Sequence, residues 1–300
     1  MVWLWPLFLL FLYFYHCVSI LKISLPLSLE RITCPHSIDH TLNKMSDDVY
    51  SDLVGFLKSD RADLCLAAVN AVAAVTDEDD LEKLVKYGAV TPLCKLISRS
   101  ETAELAMDSL LRLSSEAPSF SNQTAHDMFE AGIVNRVLEV LFDKSKKKPK
   151  FVNAALAVLL NTTRTEAGAV ALLGPEDYSR PLPLLARFLL PTQPDEEIDQ
   201  WQHFGGILMN LTQIEGGRKF VARISTKILE KILPQLRSKN VFRRRGIAGT
   251  VKNLCFDKDS AWWLLHEIDI IKHLLYPLAG ETIVIISFLV YIVYICTCGC

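Results

Sequence analysis

The stretch Val241–Leu265, VFRRRGIAGTVKNLCFDKDSAWWLL, decides the fold. At helical spacing Ile247, Val251 and Leu254 fall at i, i+4 and i+7 and make one apolar stripe, with Ala248 and Cys255 at its edges. Arg245, Gly249 and Asn253 follow one another in steps of four on a neighbouring face. The helix therefore has one side to bury and another that carries a cation and an amide. Gly246 and Gly249 each cost such a helix about 1 kcal/mol against alanine. Glycine at these points implies that another backbone packs close.

The design recurs upstream. In His203–Val221, HFGGILMNLTQIEGGRKFV, the stripe is Phe204, Ile207, Leu208 and Leu211, and Asn210-Leu211-Thr212 stands where Asn253-Leu254-Cys255 stands downstream. Asn153–Leu173, NAALAVLLNTTRTEAGAVALL, puts Asn161 at the equivalent point, followed by a Thr-Glu-Ala-Gly turn that matches Ile-Glu-Gly-Gly. Weaker copies carry Arg112-Leu113-Ser114 and Ala74-Val75-Thr76. The anchors 74, 112, 161, 210 and 253 are separated by 38, 49, 49 and 43 residues. A drifting period of about 40–47 residues in a helical chain is the mark of armadillo or HEAT repeats. Gly88 and Gly132, 44 residues apart, each stand before an apolar helix and suit a left-handed helix end, which supports the period independently. The expected fold is all-α, a right-handed armadillo/HEAT-like α-solenoid with apolar non-solenoid segments at both termini.

Composition separates the ends from the middle. The net charge of −2 gives no global field toward nucleic acid or membrane, and much of the 50% hydrophobic content lies at the two ends. Three regions are expected: an apolar N-terminal extension at 1–44, a repeat domain at 45–280, and an apolar Cys-ending tail at 281–300. The first is read as an upstream translated segment or as a targeting segment; it lacks basic residues ahead of its apolar run. Met45-Ser46-Asp47-Asp48 reads as a start, with Ser46 or Asp47 capping a helix whose stripe includes Val49, Leu53, Phe56 and Leu57. The apolar run Ile283–Ile295 falls short of the ~20 residues a spanning helix needs unless the Cys-Thr-Cys end joins it. The cytoplasm is the expected compartment, with membrane association as the alternative if residues 1–29 or 283–298 are anchors.

Eight cysteines are present, of which Cys65, Cys94 and Cys255 lie in the repeats within apolar patterns, as small core hydrophobes. The terminal C-x-C-x-C spacing differs from the usual zinc spacing, so no metal site is expected. The lysine run Asp143–Lys150, DKSKKKPK, reads first as a solvated loop and second as a nuclear localisation signal. Pro194-Asp195-Glu196-Glu197 reads as a helix start with acids at its positive end. Trp262 and Trp263 are adjacent, so one faces the core and the other forms a lid or a contact with a partner.

No P-loop, H-E-x-x-H or G-x-S-x-G motif is present, and His203, His266 and His273 sit in no nucleophile pattern. No catalytic residue and no cofactor are expected. Solenoids act by surface, through a groove lined by the third helices. The candidate partner-binding residues are Asn161, Asn210 and Asn253 as a ladder, with Arg244, Arg245 and Lys252 beside it. An Asn amide offers both donor and acceptor to a peptide backbone, and Arg forks onto carboxylates. A second reading has the Asn residues tying neighbouring repeats together internally, and Arg243–Arg245 forming a solvated helix start.

Three blocks go beyond a generic repeat pattern: NTTRTEAG (161–168), LMNLTQIEGGR (208–218) and FRRRGIAGTVKNLCFD (242–257). Together they resemble the armadillo-type folding factors dedicated to eukaryotic translation elongation factor 2, over about Met45 to Gly280. The resemblance implies a non-enzymatic adaptor that binds elongation factor 2 and links it to the chaperonin CCT/TRiC and to Hsp90, with no cofactor and no nucleic acid. Beyond Leu278-Ala279-Gly280 the family's acidic linker and further repeats give way here to the apolar tail. One alternative is a peptide-binding scaffold of the nuclear-import kind. Such adaptors carry Trp four residues before each groove Asn, where this chain has Ala157, Gly206 and Gly249. A membrane-tethered scaffold, using the apolar ends, is the other.

Overall fold

The computed structural model describes residues 47–115, 120–142, 151–175, 178–191 and 198–279. The terminal extension and tail, Ser46, the lysine run and Pro194–Glu197 lie outside these residues. Met45–Leu278 form one compact unit, and every regular element among the described residues is helical.

The helices are α1 (Asp47–Leu57), α2 (Ala62–Ala74), α3 (Glu78–Lys86), α4 (Val90–Leu96), α5 (Ala103–Leu113), α6 (Ser121–Glu130), α7 (Ile133–Phe142) and α8 (Val152–Thr162). They continue as α9 (Glu166–Leu173), α10 (Leu182–Phe188), α11 (Phe204–Leu211), α12 (Glu215–Ala222) and α13 (Ile228–Ile232), which runs into a 3-10 turn at Leu233–Arg237. The last three are α14 (Val241–Cys255), α15 (Lys258–His266) and α16 (Ile270–Ala279). The period read from the anchors is carried by α2, α5, α8, α11 and α14. From α5 onward each is the third helix of its module, preceded by two others, and each of the five packs against the next.

Local chemistry sets the ends. Asp77 Oδ1 accepts the amides of Asp79 and Asp80 at 3.1 and 3.3 Å and starts α3. Thr165 Oγ1 accepts from the Gly168 amide at 3.1 Å to start α9. Asn240 Oδ1 accepts from the Phe242 and Arg243 amides at 2.8 and 3.3 Å to start α14. Gly88 and Gly132 have φ of 81° and 72°, the left-handed turn expected between the first and second helices of a module. Lys227 and Asp269 hold the same place before α13 and α16 with φ of 50° and 52°.

The stripes are buried as read: Ile247, Val251 and Leu254 are at most 1% exposed, and Phe204, Ile207, Leu208 and Leu211 are fully buried. Cys65 and Cys94 are buried free thiols, and burial pushes the Cys94 thiol up to about 12. Trp263 packs on the core while Trp262 stands exposed, its ring 4.7 Å from that of His266. The expected stripe of α1 is half right. Leu57 is buried and Leu53 packs on the core as expected, but Val49 and Phe56 are exposed, and Tyr50 and Val54 are buried in their place. Two apolar rows overlap in that helix, and Tyr50 decides between them. Its ring stacks on Tyr87 and its hydroxyl donates to Asp80 Oδ1 at 2.5 Å, so a polar-tipped residue satisfied on both counts takes the core position.

Candidate functional site

The close approach implied by the glycines occurs where α14 crosses α11. A Cβ on Gly246 would stand 2.1 Å from the Gly205 carbonyl carbon and 2.5 Å from the Gly206 nitrogen, so backbone meets backbone. At Gly249 the neighbour is a side chain: a Cβ there would meet Met209 Sδ at 2.3 Å. At Gly206 it is Leu160, with Cδ1 at 2.9 Å.

Asn253 sits in that crossing and Asn210 and Asn161 in the equivalent contacts upstream, and their Nδ2 groups point back one module. Asn253 donates to the Met209 carbonyl at 2.9 Å and to Thr212 Oγ1 at 3.2 Å. Asn210 repeats the pair on the Leu160 carbonyl at 2.9 Å and Thr163 Oγ1 at 3.2 Å. Asn161 donates to Ser114 Oγ at 2.9 Å. Arg112 and Arg164 make similar ties, to the carbonyls of Val75 at 3.2 Å and Ser114 at 2.9 Å. Each third helix thus closes the C-terminal end of the one before it, whose last carbonyls have no intrahelical partner. Asn210 is buried, while Asn161 and Asn253 are half-buried. Replacing Asn210 by alanine is expected to leave the Leu160 carbonyl with only its bond from the Thr163 hydroxyl, at 3.0 Å, and to lower stability by about 1 kcal/mol in urea denaturation. Aspartate there, an acceptor facing an acceptor, is expected to lower it further.

Of the three successive arginines, Arg245 is exposed and Arg244 is half-buried with Nη1 donating to the carbonyls of Ser238 at 2.5 Å and Lys239 at 3.0 Å. Lys252 is exposed two turns along from Arg245. Arg243 departs from a solvated helix start: it is buried. Its guanidinium forks onto Asp199, Nε to Oδ2 and Nη2 to Oδ1, the latter at 2.9 Å. It also donates from Nη1 to the Phe188 carbonyl at 2.5 Å and lies over the Phe188 ring, 4.4 Å from the centroid. Asp199 in addition accepts the Trp201 amide at 3.1 Å. This pair fixes the start of α14 against the end of α10, and with it the register of Arg245 and Lys252. Sequence spacing gave no signal for it, because the partners lie 44 residues apart.

His203 precedes α11, and its ring lies 5.5 Å from that of Phe242. Burial there lowers its pKa from 6.5 to about 4, against the opposing pull of Asp199. The folded protein holds the ring neutral while the unfolded chain protonates it. Stability from this residue is therefore complete above pH 6.5 and falls as pH drops toward 4, by about 3 kcal/mol in all. The expected result is that His203→Gln removes this part of the slope when unfolding free energies of the two proteins are compared between pH 7 and pH 4.

Among the described residues no group of three or more His, Cys, Asp or Glu could hold a metal ion. No helix among them is long and apolar enough to cross a membrane.

The stacked third helices and their module-to-module ties define an armadillo-type α-solenoid. Solved structures agree on the fold. The chain superimposes on a computationally designed armadillo repeat protein for modular peptide recognition with a TM-score of 0.56, at 15% identity over 72% of this chain and 87% of the other. It also superimposes on a chain from a structure concerning a phosphorylation switch between cadherin and beta-catenin, with a TM-score of 0.62 at 15% identity over 81% and 52% of the two chains. In sequence, residues 141–284 match a family described as a domain of unknown function, DUF383. The chain is similar to the protein HGH1 homolog of Dictyostelium discoideum, 28% identical over 78% of this chain and 66% of that protein. It is also similar to the HGH1 homologs of Xenopus tropicalis, 28% identical over 76% and 63% of the two, and of Homo sapiens, 30% identical over 73% and 57%. The chain thus spans less than two thirds of the length of these relatives.

Proposed function

We propose that this chain is a non-enzymatic folding adaptor that binds translation elongation factor 2 and links it to the chaperonin CCT/TRiC and to Hsp90. The observation that carries this reading is the set of blocks at 161–168, 208–218 and 242–257, which resemble the elongation-factor-2 folding factors and all fall within the DUF383 match. These blocks are also where the modules interlock, through Asn161, Asn210, Asn253 and the Gly205–Gly246 crossing. A rigid stack held this way presents side chains at fixed spacing, which suits recognition and needs no reacting group.

On this reading Arg245 and Lys252 contact the client directly, joined by Arg244 and by the half-buried Asn161 and Asn253. Asn210 supports them from beneath. The reading places the chain in the cytoplasm. Affinity capture with the full chain as bait is the test: elongation factor 2 and chaperonin subunits are the expected prey, and importin-beta or membrane complexes in their place would overturn the assignment.

A further inference from the structure

The exposed face of the third helices is electrically polarised along the stack. Eight residues before the last four anchors stand Glu104 on α5, Asn153 on α8, Gln202 just ahead of α11, and Arg245 on α14. The row passes from an exposed acid through two half-buried neutral amides, of which Gln202 accepts from Asn240 at 2.9 Å, to an exposed cation. Each pole has a second member on the same face, Asp108 one turn from Glu104 and Lys252 two turns from Arg245. Among the described residues none of these four charges has a hydrogen bond or an ion pair. Asp108 is half-buried, and burial with the neighbouring Glu104 raises its pKa against the pull of Arg112. Arg112 and Arg164, at the ends of α5 and α8, are turned to the carbonyls of Val75, Asn161 and Ser114.

Between the poles the floor is nearly bare. Four residues before the anchors stand Ala157, Gly206 and Gly249, and the side chains that reach over the last two, Leu160 and Met209, are half-buried and uncharged. Along these rows a chain laid across the modules meets small or uncharged residues between the charges at either end. Three helix-to-helix steps of ~8–10 Å set the poles roughly 25–30 Å apart. An extended polypeptide covers that distance with about eight residues.

The geometry points to an extended polypeptide segment of split charge as the occupant of this face: basic residues over Glu104 and Asp108, acidic residues over Arg245 and Lys252, and about eight small or uncharged residues between. The inference deepens the adaptor reading by naming the chemistry of the segment the adaptor holds, and it rests on that reading only in supposing that this face is a binding face.

The test is fluorescence anisotropy at low salt on the full chain, with synthetic peptides. One carries two lysines and two aspartates at opposite ends of a Gly/Ser spacer of about eight residues. The control has the same composition with the four charges alternating at its centre. The separated peptide is expected to bind about tenfold more tightly, the sum of several exposed charge contacts, and to lose that advantage as salt is raised. In the Arg245→Glu/Lys252→Glu variant, shown folded by circular dichroism, the preference is expected to move to a peptide with lysine pairs at both ends. The Glu104→Lys/Asp108→Lys variant is expected to move it to one with aspartate pairs at both ends. Equal binding of separated and alternating peptides, no measurable binding of the separated one, or an unchanged preference in either variant would overturn the inference. Capture of elongation factor 2 is read separately, so a wrong client with a correct peptide preference is distinguishable from the reverse.

Discussion

Gly246→Ala is expected to destabilise the protein by about 2–3 kcal/mol, although alanine is the better helix former by about 1 kcal/mol. The added methyl would lie 2.1 Å from the Gly205 carbonyl carbon and 2.4 Å from its oxygen, and neither backbone can step aside without opening the α11–α14 crossing. That crossing also holds the Asn253 ties to Met209 and Thr212, so packing and hydrogen bonding are lost together. Gly249→Ala is the informative contrast. There the obstacle is the thioether end of Met209, which can swing away, and the result is expected to fall within about 1 kcal/mol of the parent. Urea denaturation of the two variants side by side measures this. Equal losses would mean that the helices do not approach as closely as described.

Asp199→Ala is expected to cost about 3–5 kcal/mol, because it leaves the Arg243 guanidinium buried without its counter-charge. The side chains of the pair are 5% and 8% exposed, so solvent screens little of this. Removing both charges with Asp199→Leu and Arg243→Met is expected to cost much less than the two single changes summed, with a coupling of about 2–3 kcal/mol in the double-mutant cycle. Additive losses would show that the two side chains are independent. The pair matters beyond stability, since it sets where α14 begins and so where Arg245 and Lys252 emerge on the exposed face.

These two residues also mark the limit of what the sequence discloses. The period, the third helices, the buried stripes and the left-handed Gly88 and Gly132 follow from spacing alone, because a helix repeats its faces every few residues and a solenoid repeats its modules. The glycines of α14 were legible as a close approach, though only Gly246 meets backbone; nothing local distinguishes it from Gly249. Arg243 was not legible. Three consecutive arginines look alike in sequence, and only the fold brings Asp199 and the Phe188 carbonyl to the first of them. Half of the α1 stripe was missed for a related reason, since the deciding contacts of Tyr50 come from Asp80 and Tyr87 on the next module.

The asparagine ladder lies between these cases. Its positions were readable, and so were its two uses, outward to a peptide or inward to the neighbouring module. The Nδ2 groups of Asn161, Asn210 and Asn253 go inward. A ladder whose amide donors hold the modules together leaves most of recognition to the charged and apolar side chains around it.

The most direct measurement of the adaptor reading is calorimetric titration of purified elongation factor 2 into the purified full chain. Saturable binding of one client per chain, weakened by Arg245→Glu/Lys252→Glu, is the predicted result. A flat titration with both proteins folded would contradict it.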